Sequence, residues 1–122
     1  MIVSWRYMPD PEIPNLEVTV IEVKRKLDAG EPVVLLDCRE PFENDLCRIE
    51  GATLIPMNTI PQRMAELERL SDRGHVVVFC HHGMRSLNVA NWLRHQGVEN
   101  VTSMTGGIEA WSLQIDPLVP RY

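Results

Sequence analysis

Apolar residues along this chain fall into two alternating kinds of run. Val33–Leu36 and His75–Phe79 are short, β-rich and almost unbroken, as in parallel strands buried on both faces. Leu16–Val18, Thr53–Ile55 and Val101–Ser103 read as shorter strands. Between these runs the apolar positions recur at helical spacing. Thr19-Val20-Ile21-Glu22 has the form of a capping box; Val20, Val23 and Leu27 then share a face, and Gly30 is the expected stop. Ile60, Met64 and Leu67 mark a second helix, with Pro61 suited to its first turn. Ser86 to Gln96 is the clearest helix, with Leu87, Ala90 and Leu93 on one face and Gly97 beyond its end. Gly106-Gly107 opens a last short helix carrying Ile108 and Trp111. Strands alternating with helices predict an α/β fold: a small parallel β-sheet of about five strands flanked by helices on both faces. Pro9, Pro11 and Pro14 keep residues 1–15 out of helix, so that stretch is expected to be an extended Pro-rich arm before a single domain over 16–122.

Composition narrows the function classes. The 122 residues suit one domain, and 44% hydrophobic with 24% charged residues is ordinary for a folded chain, which excludes a disordered, collagen-like or coiled-coil protein. No apolar run approaches the length needed to cross a bilayer, and the Pro-containing N-terminal stretch does not resemble a secretory signal. The expected address is cytoplasmic, with no membrane partner. Net charge is −5, from 12 basic and 17 acidic residues, so nucleic acid is not an expected partner. Cysteines number three, Cys38, Cys47 and Cys80; an odd count without a secretory signal argues against a disulfide framework and leaves room for one reactive thiol.

That thiol is Cys80. It ends the best strand, and the segment Cys80-His81-His82-Gly83-Met84-Arg85-Ser86 must turn the chain into the best helix. In open α/β sheets ligands bind beyond the carboxyl ends of strands. A tight loop feeding a helix gathers backbone N–H groups into an anion-binding cup, here formed by His81, His82, Gly83, Met84, Arg85 and Ser86. A sulfur facing it is favoured as thiolate. Arg85 adds a forked cation, and His81 and His82 add charge as pH falls. No Asp or Glu occurs from Arg73 to Val98, so the region is expected to attract small anions.

The segment CHHGMRS resembles the active-site loop of the rhodanese sulfurtransferase family, Cys-x-x-Gly-x-Arg-Ser. Three further segments resemble that family in the same order: Leu36-Asp37-Cys38-Arg39-Glu40-Pro41-Phe42-Glu43, Gly51-Ala52-Thr53-Leu54-Ile55-Pro56, and Gly106-Gly107-Ile108-Glu109-Ala110-Trp111. Together they cover about residues 16 to 118. There are two departures: Cys47-Arg48-Ile49 stands where the family usually reads Gly-His-Ile, and Cys38 where it usually has an aliphatic residue. The resemblance implies a rhodanese-like fold and a sulfurtransferase in which Cys80 is the nucleophile. It carries a sulfane sulfur as a persulfide from an anionic donor such as thiosulfate to cyanide, a thiol or a protein acceptor. Arg85 would bind the donor's anionic end. Asp37, Arg39 and Glu43 would be structural support near the loop, and neither a metal nor an organic cofactor is implied.

Two rival readings remain. Some rhodanese-like domains are non-catalytic or regulatory binding or sulfur-carrier modules, and the intact Cys80–Arg85 loop argues against that here. Cysteine phosphatases place Arg six positions after Cys, whereas Arg85 is five after Cys80. Cys38 and Cys47 are expected to be buried apolar positions. His75 and His95 are expected at the surface or a strand edge, and Trp92 and Trp111 in packing.

Overall fold

A computed structural model describes residues 16–122; the Pro-rich arm over 1–15 lies outside the described residues. Five strands form one all-parallel sheet: β1 Glu17–Val18, β2 Val33–Asp37, β3 Thr53–Leu54, β4 His75–Phe79 and β5 Val101–Met104, in the spatial order β1-β5-β4-β2-β3. The helices are α1 Val20–Asp28, α2 Pro41–Leu46, α3 Met64–Arg73, α4 Met84–His95 and α5 Gly107–Gln114.

Alternation along the two central strands builds two cores. Val34, Leu36, Val76 and Val78 face α3 and α4, where Leu67, Leu70, Val89, Ala90 and Leu93 close over them. Leu35, Val77 and Phe79 face the other way, onto Val20 and Val23 of α1 and Ile108 and Trp111 of α5. Helices therefore cover both faces, as the alternating pattern requires. Trp111 is buried, whereas Trp92 stands half-exposed beside Met57 and Ile60.

Local signals explain the helix ends. Thr19 Oγ accepts from the Glu22 N–H at 3.1 Å, and Gly30 takes a left-handed φ of 75° just past α1. Two elements depart from the sequence reading. Residues 41–46, to which the sequence pattern assigns no element, form α2: Pro41 begins it, and the Glu43 carboxylate reaches back to the Glu40 N–H at 3.0 Å. Met57–Arg63 winds as a 3-10 helix ahead of α3 with Pro61 inside it, because Pro61 lacks the N–H that an α-helix begun at Met57 would need.

The topology locates a site. From β4 the chain passes through α4 to β5 on one side, while from β2 it passes through α2 to β3 on the other. The carboxyl ends of β2 and β4, which are paired neighbours, thus form a topological switch point.

Candidate active site

Cys80 follows the last residue of β4 and is 1% exposed. Its Sγ accepts from the Gly83 N–H at 3.1 Å and the Ser86 N–H at 3.3 Å, while Ser86 Oγ lies 3.5 Å away. Ser86 Oγ is in turn 2.7 Å from Ser103 Oγ, a buried hydroxyl on β5. Gly83 has φ 111°, a left-handed conformation that disfavours a side chain, and it precedes the first turn of α4. Cys38, which follows β2, lies with Cys80 in the same buried core cluster. Interaction with the Cys38 thiol, opposed by burial and aided by Ser86 and Gly83, pulls the Cys80 thiol down to about 4. The same pairing, with burial and the charge of Asp37, pushes Cys38 far above the ordinary thiol range. Of the two, Cys80 is the one whose surroundings favour the thiolate.

The loop is clamped from the far side. Ile108 N–H donates to the Cys80 carbonyl at 2.9 Å and Glu109 N–H to the His81 carbonyl at 3.1 Å, so the start of α5 fixes the loop backbone. A Cβ at Gly107 would collide with both carbonyls, and only glycine permits the approach.

Arg85 does not stand free in the cup. Its Nη1 and Nη2 donate to Glu43 Oε1 and Oε2 at 2.7 and 2.9 Å. Arg85 holds Glu43 down at about 2, against burial, with help from the Glu40 N–H and the Tyr122 hydroxyl. Tyr122 Oη donates to Glu43 Oε2 at 2.8 Å and accepts from Arg39 Nη1 at 2.9 Å. Arg39 is wholly buried: Nε and Nη2 hold Asp37 Oδ1 and Oδ2 at 2.9 and 2.8 Å, and Nη2 also donates to the Cys47 carbonyl at 2.7 Å. A continuous chain of contacts thus runs Asp37–Arg39–Tyr122–Glu43–Arg85.

The sequence grouped Asp37, Arg39 and Glu43 together, and the structure keeps them in contact: Arg39 Nη1 donates to the Glu43 carbonyl at 3.3 Å, while the Glu43 carboxylate pairs with Arg85 of the loop. His81 stacks on Tyr122 at 3.8 Å between ring centroids and on His82 at 3.9 Å. Burial, and then the charge of His82, lower the His81 pKa, so His81 resists the charging expected of it as pH falls. Met84 and His82 are exposed at the rim. His75 is half-buried, with Nε2 2.8 Å from Thr102 Oγ1, and His95 Nδ1 lies 2.7 Å from the Asn91 carbonyl; neither belongs to the site.

Three contributors escaped the sequence reading. Ser103 and Tyr122 carry no local signal, since β5 and the last residues reach the loop only through the fold. Cys38 had one: it follows its strand as Cys80 follows its own. The absence of acidic residues near Cys80 in sequence does not extend to space, because Glu43 joins Arg85 there and Glu109 is close enough to interact with His81 and His82.

The fold is a parallel α/β sheet with Cys80 at its topological switch point, where ligands bind in open α/β sheets. A family profile described as a rhodanese-like domain matches residues 19–114, and the chain belongs to that family. The putative sulfurtransferase YtwF of Bacillus subtilis is 36% identical, over 83% of this chain and 94% of its own length. A rhodanese-like/PpiC domain-containing protein 12, chloroplastic, of Arabidopsis thaliana is 34% identical over 89% of this chain, which spans only 38% of that relative. The crystal structure of a rhodanese-like domain protein from Staphylococcus aureus superposes with a TM-score of 0.72 at 30% identity, over 88% of this chain and 99% of that one.

Proposed function

We propose that this protein is a sulfurtransferase that carries a sulfane sulfur on Cys80. The observation that carries the reading is the Cys80 sulfur at a strand end, receiving the N–H groups of Gly83 and Ser86. The Cys80 thiolate attacks the outer sulfur of a donor such as thiosulfate. A new S–S bond forms, the donor's S–S bond breaks, and sulfite leaves with the bonding pair. The charge then sits on the outer sulfur of a Cys80 persulfide, above the loop N–H groups. An acceptor nucleophile, cyanide or a thiol, attacks that outer sulfur and restores the thiolate, so the kinetics are ping-pong. Arg85 keeps N–H groups beyond the two spent on Glu43, and these meet the donor's anionic end. His81, His82 and Met84 form the rim across which donor and acceptor enter.

Intact-mass spectrometry after incubation with thiosulfate tests this. One added sulfur per chain is expected, located on Cys80 after digestion and removed by cyanide. Cys80→Ser should take up none while remaining folded. An unchanged mass in folded protein would leave the reading of a non-catalytic binding module in its place.

A further inference from the structure

Cys38 is a second cysteine at this site, and the proposed reaction does not use it. Its placement is set by the sheet. Asp37 of β2 is the register partner of Phe79 of β4, and the Cys38 N–H continues the ladder by donating to the Phe79 carbonyl at 3.1 Å. Cys38 and Cys80 are therefore the next matched pair, on parallel strands that run about 4.8 Å apart. Matched residues project from the same face, and both side chains lie in the core cluster beneath α3 and α4. Cys38 is fully buried. The fold thus puts a second sulfur under the first, where solvent does not reach.

Two adjacent thiols cannot both ionise cheaply. Cys80 has the Gly83 and Ser86 N–H groups, whereas Cys38 lies near the Asp37 carboxylate. These surroundings favour the negative charge on Cys80 and the proton on Cys38.

We propose that Cys38 is a catalytic residue of this site, donating its S–H to the Cys80 sulfur whenever that sulfur bears the negative charge. The inference rests on the reading of Cys80 as a sulfur-carrying nucleophile, and it deepens it. In the free protein the donor favours the attacking thiolate. Once sulfur is loaded, the charge moves one atom outward and the Cys38 contact weakens. When the acceptor removes the outer sulfur, charge returns to Cys80, and the same S–H stabilises the departing thiolate. A better-stabilised leaving thiolate leaves faster. Cys38 thus favours unloading, and its loss slows the second half-reaction more than it weakens donor binding.

The test is the pH dependence of Cys80 alkylation by iodoacetamide in the full chain, with the modified cysteine located by mass spectrometry. Cys38→Val keeps the volume and removes the donor; Cys38→Ala serves the same purpose if the valine variant does not fold. Cys38→Ser keeps a donor. We expect the Val or Ala variant to move the alkylation midpoint up by about one pH unit or more, and the Ser variant to restore most of the difference. Discharge of preloaded persulfide to cyanide should slow about tenfold in the Val variant, with the concentration of thiosulfate needed for half-maximal loading changed much less. An unchanged midpoint in the Val or Ala variant, or a Ser variant displaced as far as the Val variant, overturns the proposal. The alkylation arm needs no sulfur donor. A shifted midpoint in a protein that takes up no sulfur would therefore sustain the Cys38–Cys80 contact while removing the sulfurtransferase reading.

Discussion

Arg85 and Glu43 meet end-on across the switch point, two N–H groups on two carboxylate oxygens at 2.7 and 2.9 Å, although 42 residues separate them in the chain. The pair ties the loop after Cys80 to α2. Tyr122 and Arg39 extend the tie to the carboxyl end of β2.

The first prediction concerns this pair. Glu43 is held at about 2, below the ~4.3 of an unfolded glutamate. A carboxyl lowered on folding contributes its stability above the unfolded value and loses it as pH falls through the folded one. Glu43→Gln should therefore cost about 1–3 kcal/mol at neutral pH, with the gap to the unmodified protein closing as pH falls from about 5 toward 2. Urea unfolding at several pH values checks both. Equal stability at neutral pH would mean that the tie adds no net stability.

Cys80 provides the second. An ordinary cysteine gains alkylation rate about tenfold per pH unit up to ~8.5. With its thiol lowered to about 4, Cys80 should react at a nearly constant rate from about pH 6 to 9. The stability that the thiolate contributes is complete above the unfolded value and disappears as pH falls through about 4. The unfolding free energies of the unmodified protein and Cys80→Ser should therefore converge in acid. A rate still climbing steeply between about pH 7 and 8 would mean that the cup does not hold a thiolate.

Gly107 is the third. An added Cβ there meets the Cys80 and His81 carbonyls, at a φ of 61°. Gly107→Ala should lower stability by about 2 kcal/mol or more and raise the exchange rates of the Ile108 and Glu109 amides that clamp the loop. Gly30→Ala is the control, since it shares the left-handed φ but has nothing within 4 Å. Equal losses in the two variants would show that backbone conformation alone, and not the close approach, sets the cost.

The fourth separates sulfur from phosphate. The cup between Cys80 and Arg85 is one residue shorter than a Cys-x5-Arg phosphatase loop. Each badly aimed charge-assisted hydrogen bond forfeits roughly 1.5–3 kcal/mol, so two cost a factor on the order of 10²–10⁴ in transition-state binding. Aryl phosphates should be hydrolysed negligibly by protein that loads sulfur from thiosulfate. Inserting one residue after Gly83 should weaken sulfur loading, because it displaces Arg85 from Glu43. Robust phosphatase activity in the unmodified protein, lost on Cys80→Ser, would show that loop length does not discriminate.

What the sequence determined by itself was whatever depends on near neighbours. Continuous apolar runs located β2 and β4, and helical spacing with glycine stops located α1 and α4, because burial on two faces or on one leaves a period readable over a few residues. The thiol, its loop and the start of the helix that follows lie within seven residues, so the loop was legible too. α2 was not, because its opening signals are Pro41 and a glutamate reaching backward, in a segment too short for periodicity. What the tertiary structure alone decided was which distant groups meet. The parallel register of β2 with β4 set Cys38 beside Cys80, and the switch point brought Glu43 to Arg85. The packing of the last residues laid Tyr122 on His81 and between Arg39 and Glu43. These contacts join residues about 40 apart or more, at distances fixed by the sheet rather than by the local chain, so no pattern of neighbouring residues encodes them.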